Sequence, residues 1–209
     1  MFSKENIDLL EKEFNIKINQ DTIEKLNLWH KLFVEYNSHT NLMSAGDVKV
    51  LFEKHVFDSL AILKWSEFDP YKKQKILDVG TGGGFPSVIL ALFFPELEIV
   101  ANDSRMKKIN FIIDIKDALD IKNLKISYAR VEDLEPLNCD IVISRAVGTI
   151  KNVLRLSKKH IKENGHFVIY KSKTLENELN EIKEASAKIV SYNLPLKENF
   201  ERHLAIIKQ

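Results

Sequence analysis

Four of the chain's seven glycines fall within five residues, in the run Asp78-Val79-Gly80-Thr81-Gly82-Gly83-Gly84-Phe85-Pro86. Glycine lets a chain turn at positive φ and lets a ligand lie against bare backbone. The run follows the short apolar stretch Ile76-Leu77-Asp78-Val79 and opens an apolar segment at 85–94. A strand that turns through glycines into a helix is where open α/β sheets hold nucleotides. Pro86 suits a first helical turn, where its missing N–H costs nothing. Gly80, Gly82 and Gly84 are spaced G-x-G-x-G, and Phe85 stands where the dinucleotide pattern G-x-G-x-x-G has its last glycine. No Gly-Lys-Ser/Thr occurs, which excludes a P-loop nucleotidase. Asp103 closes the next strand-like run, where a carboxylate can accept both hydroxyls of a ribose. Asp103 or Ser104 could equally cap the helix that starts at Met106.

Two further strand ends point to the same crevice. Arg130-Val131-Glu132 follows the third strand-like run and Ser144-Arg145-Ala146 the fourth. Ligands of open α/β sheets lie at the carboxyl ends of strands. Arg145 at such an end is either functional or ion-paired.

Elements must place these residues. Helices are expected at about 6–14, 21–36 and 47–65. Asp21-Thr22-Ile23-Glu24 has capping-box form, and Ile23, Leu26, Trp29, Phe33 and Tyr36 share one helical face. Val48, Leu51, Phe52, His55, Ser59, Leu60 and Leu63 mark a face of the third helix. A polar linker at 69–75 precedes a change of period. Strands are then expected at 76–79, 97–103, 124–129, 140–144 and 167–170, alternating with helices at 85–94, 106–119, 150–161 and 175–187. Alternation implies a parallel sheet covered on both faces. Two last strands, 189–194 and 203–207, are too close for a helical crossover and should pair antiparallel. The expectation is an α/β, Rossmann-like fold: seven strands, mostly parallel, with an antiparallel edge pair. The chain divides into an N-terminal helical segment at 1–70 and a ligand-binding domain at 71–209.

Composition narrows the function. The 209 residues are 44% hydrophobic, which excludes a disordered chain. Formal net charge is +1, so a polybasic binder is excluded and any nucleic-acid surface is a local patch. Residues 151–209 hold 12 Lys/Arg against 7 Asp/Glu, so the excess of positive charge lies there. Within it stand Lys158, Lys159, His160 and Lys162 on one helix, then Lys171 and Lys173 beyond a strand. Lys171, at a carboxyl end, is a candidate RNA or substrate contact, as are Arg202 and His203 at the start of the last strand. Cys139 is the one cysteine, which rules out a disulfide scaffold or a cysteine zinc site. The six histidines are scattered and no metal site is expected. No apolar run approaches a membrane span, and a cytoplasmic protein is the expectation.

The motifs, taken in order, carry a resemblance. The D-x-G-x-G-x-G form with a strand-end acid resembles the S-adenosylmethionine site of Rossmann-like methyltransferases. Tyr36-Asn37-Ser38-His39-Thr40-Asn41-Leu42, Lys54-His55-Val56-Phe57-Asp58-Ser59-Leu60, the glycine run, Asp103-Ser104, Arg130-Val131-Glu132, Ile143-Ser144-Arg145-Ala146 and Arg202-His203-Leu204 together resemble the glucose-inhibited division protein B family. Those proteins are bacterial 16S ribosomal RNA guanine-N7 methyltransferases. The resemblance spans nearly the whole chain. It implies S-adenosyl-L-methionine as cofactor and 16S ribosomal RNA, or a small-subunit precursor, as partner. It implies a cofactor pocket lined by Gly80, Phe85, Val131, Glu132 and Arg145, beside the motif residues Asp78, Gly82, Gly84 and Asp103. Ser87 stands where that family often has glycine, and Asn102 where an apolar residue is common.

Chemistry agrees by what is missing. Guanine N7 carries a lone pair and no proton, so its methylation needs alignment rather than a general base. Carbon-5 cytosine methylation needs a cysteine nucleophile, and Cys139 begins a buried-looking strand at its far end. Exocyclic-amine methylation usually goes with Asn/Asp-Pro-Pro-aromatic at the fourth strand end, where this chain has Ser144-Arg145-Ala146. A small-molecule methyltransferase and a non-catalytic S-adenosylmethionine-binding regulator stay open as alternatives. A nicotinamide oxidoreductase is disfavoured by the glycine spacing.

Overall fold

A computed structural model describes residues 1–172, 175–182, 187–196 and 198–209. Lys173, one of the basic residues noted above, lies outside them. Seven strands form one sheet: β1 (Lys75–Val79), β2 (Glu98–Asp103), β3 (Leu124–Tyr128), β4 (Cys139–Arg145), β5 (Ile161–Lys171), β6 (Ala187–Leu194) and β7 (Phe200–Lys208). Their order is β3-β2-β1-β4-β5-β7-β6. The pairs β1–β2, β1–β4, β2–β3 and β4–β5 are parallel. β7 is antiparallel to both β5 and β6, so it is the one reversed strand, next to the edge. The strand order reverses about β1, the place where open α/β sheets hold ligands at the carboxyl ends of their strands.

Apolar residues of alternate parity build a core on each face. One face buries Ile76, Ile99, Ile141, Ile143, Val168 and Leu204 against the N-terminal helices. The other buries Leu77, Val142, Phe167, Ile169 and Ala205 against α7 (Ile150–Ser157) and α8 (Leu175–Ile182). α5 (Ser87–Phe93) and α6 (Met106–Ala118) complete the first layer with α1 (Lys4–Phe14) and α2 (Gln20–Thr40).

Several boundaries differ from expectation. α2 starts at Gln20, because the Asn19 side chain accepts from the Thr22 N–H; Asp21 lies inside the first turn and the proposed capping box does not form. α2 also runs on through the polar stretch to Thr40, where Asn41 at φ 51° ends it. The helix expected at 47–65 is broken into α3 (Ala45–Val48), a π-helical stretch (Phe52–Phe57), α4 (Asp58–Leu60) and a 3-10 turn (Ala61–Lys64). α7 ends at Ser157 and a 3-10 turn (Lys158–His160) leads straight into the long strand β5. Part of the helix expected at 175–187 falls outside the described residues, and Ala187 is already in β6.

Candidate active site

β1 delivers the chain into the glycine turn, and β2 shapes it. The Asn102 carbonyl accepts from both Gly80 and Thr81 N–H at 2.9 Å. Gly80, Gly82 and Gly84 all have positive φ (70°, 60° and 87°). A Cβ on Gly80 would meet Val147 Cγ2 at 2.3 Å and one on Gly84 would meet Val88 Cγ2 at 2.5 Å, so those two glycines admit neighbours. Gly82 differs: its nearest atom would be the Gly80 carbonyl at 3.9 Å, so its open face is a cradle that a side chain would fill. The Gly82 N–H donates to Asp103 Oδ2 at 3.1 Å, and the Arg105 N–H to Oδ1 at 2.9 Å. Asp103 is 4% exposed, and each oxygen keeps lone-pair capacity for a ligand hydroxyl.

Asp78 and Phe85 lie beneath this cradle rather than in it. Asp78 is fully buried; its Oδ2 accepts from the Ser87 N–H at 3.3 Å and its Oδ1 has no partner among the described residues. Burial pushes its carboxyl up to about 7, against the pull of hydrogen bonds from Thr81 and Ser87. Ser87, the departure from glycine, therefore ties the helix start to β1. Phe85 sits in an aromatic stack, 5.6 Å from both Trp29 and Phe33 and 4.9 Å from His55. Thus the N-terminal helices brace the turn.

Val131 and Glu132 form a short turn held from two sides. The His160 ring nitrogen Nε2 lies 2.8 Å from the Val131 carbonyl, and Lys159 donates to the Glu132 carbonyl at 2.7 Å. Desolvation lowers the His160 pKa, and because a carbonyl only accepts, Nε2–H is the donor. Asn102, the second departure, donates from its amide to the Ala129 carbonyl at 3.0 Å and so fixes the start of the same loop. The sequence marks Asn102 only as a departure, and Lys159 and His160 only as members of a basic run, not as supports of this turn. The polar residue at a buried strand end was the available signal for Asn102.

Arg145 and Arg202 converge. Asp58, 1% exposed, accepts from Arg145 Nη1 at 3.1 Å, from Arg202 Nε and Nη2 at 3.2 Å, and from the Tyr192 hydroxyl at 2.6 Å. Arg145 also donates to the Lys54 carbonyl at 3.0 Å and lies 2.8 Å from His55 Nδ1. Desolvation, helped by the Arg145 charge, lowers the His55 pKa to about 3. Arginine only donates, so Nδ1 is the acceptor and the proton sits on Nε2. The Arg145 guanidinium stacks 5.2 Å over Phe85, joining this cluster to the glycine turn.

Lys171 and His203 do not join them. Side chains alternate along a strand. Tyr170 and Leu204 face the N-terminal helices, so Lys171 and His203 point to the α7–α8 face. Lys171 is 11% exposed, ion-paired with Glu178 at 2.7 Å, and donates to the Gly148 carbonyl at 2.7 Å. Glu178 also accepts from the Ile150 N–H. Lys171 thereby anchors the loop that follows β4. His203 pairs with the Ser191 hydroxyl at 2.9 Å. Cys139 is buried, with its thiol pushed up to about 11 by desolvation, and has no thiolate to offer. Among the described residues no group of three or more His, Cys, Asp or Glu could hold a metal, and no helix is long and apolar enough to cross a membrane.

The chain is similar to known proteins. The family model described as rRNA small subunit methyltransferase G matches residues 22–205. A ribosomal RNA small subunit methyltransferase G of Mycoplasma capricolum is 36% identical over 191 residues, 90% of this chain and 80% of the relative. The Bacillus subtilis protein of that name is 31% identical over 209 residues, 94% and 86% of the two chains. Among solved structures, a SAM-dependent methyltransferase from Aquifex aeolicus superposes with TM-score 0.58 at 17% identity, covering 79% of this chain and 99% of the other. A precorrin-6y C5,15-methyltransferase from Geobacter metallireducens does so with TM-score 0.54 at 16% identity, covering 72% and 87%. Those two likenesses establish the fold.

Proposed function

Because the chain belongs to the rRNA small subunit methyltransferase G family, we propose that it transfers a methyl group from S-adenosyl-L-methionine to N7 of a guanine in 16S ribosomal RNA. One observation carries the cofactor assignment: the open face of Gly82 lies beside an Asp103 carboxylate that a backbone N–H already orients. The residues fit the group. Asp103 would accept from its ribose hydroxyls, the bare backbone of Gly82 would face its methionine part, and the Val131–Glu132 turn would meet its adenine. When bound, it supplies a methyl group activated by a sulfonium leaving group.

The chain's own residues then have to align the acceptor and keep water out. Guanine N7 holds no proton, so no base is called for; His55 is held at Arg145 with its pKa at about 3, and the Tyr192 hydroxyl donates to Asp58. Arg145 and Arg202 are the proposed substrate-side cations, while Lys171 and His203 act by fixing the β4–α7 loop and the β6–β7 pair. An rRNA partner also implies a cytoplasmic protein. The test is to incubate purified protein with methyl-labelled S-adenosylmethionine and either 16S RNA or small ribosomal subunits, then map the modified base by mass spectrometry. One N7-methylguanine is expected. Label on another base or only on small molecules would overturn the reading.

A further inference from the structure

Where Arg145 and Arg202 converge lies a cavity of about 210 Å³, lined among others by Asp47, Lys54, Arg145, Arg202 and Phe200. That is below the roughly 300 Å³ at which pockets for whole small molecules begin, so it suits a single base rather than a nucleoside cofactor. The Phe200 ring is 37% exposed at its mouth, with the Lys54 ammonium 5.9 Å from the ring centroid. Arg145 forms one wall and reaches the glycine turn through its stack on Phe85. An exposed aromatic ring beside a cation takes an unstacked RNA base: the ring meets the base, and Lys54 meets a neighbouring phosphate.

The hydrogen-bond geometry adds a reason for Asp58. A guanidinium free to swing forks onto O6 and N7 of guanine. That contact would occupy the lone pair that accepts the methyl group. Both Nη atoms of Arg145, and Nε and Nη2 of Arg202, are instead committed to Asp58, His55 and the Lys54 carbonyl. We propose that this cavity receives the acceptor guanine of the RNA, unstacked onto Phe200, and that Asp58 is a positioning residue that withholds both guanidiniums from N7. The proposal rests on the reading of the chain as an RNA methyltransferase.

The test separates the two. RNA carrying 6-thioguanosine is irradiated with the protein and S-adenosylhomocysteine, and the cross-linked peptides are sequenced. The expected product joins the thio-base to residues 199–202 or to Lys54. Cross-links elsewhere, or none, overturn the pocket even where methyl transfer is intact. A cross-link at Phe200 without any methyl transfer upholds the pocket and removes the enzymatic reading. In parallel, Phe200→Ala should lose about 5- to 100-fold in kcat/KM for RNA, with S-adenosylhomocysteine affinity unchanged, and Phe200→Trp should retain wild-type turnover. Wild-type turnover in Phe200→Ala would also overturn it.

Discussion

At Asp58, two guanidiniums and a phenol meet one carboxylate that water barely reaches. Removing the carboxylate leaves Arg145 and Arg202, whose side chains are 13% and 17% exposed, without their counter-charge. Breaking a buried pair from one side costs about 3–5 kcal/mol. Asp58→Ala should therefore lower the unfolding free energy by roughly that amount in urea titrations, while Asp58→Asn, which keeps an acceptor, should lose less. A loss under about 1 kcal/mol in the alanine variant would show that the cluster holds without its anion. Gly82 makes the opposite kind of demand, for the absence of a side chain. Its φ of 60° disfavours a β-branched residue, and a Cβ there would stand in the cradle. Gly82→Val should weaken S-adenosylhomocysteine binding at least 100-fold by calorimetry while its circular dichroism stays native. Wild-type affinity in that variant would move the cofactor elsewhere.

Between residue and fold, the elements divide into those whose period is written in the sequence and those set by tertiary contacts. The parallel strands read directly, because a strand buried on both faces is a continuous apolar run such as Ile141-Val142-Ile143. The stretch 47–65 did not. Val48, Leu51, Phe52 and His55 fit a period of 3.6, yet the chain takes a π-helical turn over Phe52–Phe57. That wider turn presents the Lys54 carbonyl and the His55 ring to Arg145, and places Asp58 just beyond them. π turns gather at functional sites, and local periodicity cannot show them because their partners lie about 90 residues away in the chain. Likewise, all four substrate candidates sit at the same end of the sheet, but only register and pleat reveal that Lys171 and His203 face away from Arg145 and Arg202. The β1–α5 junction carries a measurable consequence of burial. Asp78 titrates at about 7 in the folded chain and near 3.8 unfolded, so the folded state binds more protons between those values. Its contribution to stability is thus intact below about pH 3.8, falls as pH rises from there to about 7, and is level above that. Asp78→Asn removes this dependence. Relative to wild type, the variant should gain roughly 2–3 kcal/mol between about pH 5 and 8 in urea midpoints. A difference that is flat with pH would mean that Asp78 is ionised in the fold.

Over the whole molecule, a net charge of +1 conceals an ordered distribution. Across the carboxyl rim of the sheet, a cation follows β3 (Arg130) and β2 (Arg105), ends β4 and β5 (Arg145 and Lys171) and stands near the start of the reversed strand β7 (Arg202). β1 leads into glycines instead. The rim is graded. Arg145, Lys171 and Arg202 are mostly covered and held by Asp58 or Glu178. Arg105 and Arg130 have side chains 72% and 73% exposed, and their ion pairs with Asp103 and Glu132 are long, at 3.5 and 3.9 Å. Exposed pairs of that length contribute little, so those two guanidiniums can be given up to phosphates at small cost. The two cations held by Asp58 would then shape the acceptor site while the exposed ones supply sequence-independent affinity. Each phosphate neutralised adds roughly 0.7–0.9 to the salt slope of the binding constant. The double variant Arg105→Ala/Arg130→Ala should bind RNA with a slope reduced by roughly 1.5 in anisotropy titrations between about 50 and 200 mM salt. Its unfolding midpoint should stay at the wild-type value, since neither side chain is buried. An unchanged slope would place the phosphates away from the β2–β3 side of the rim.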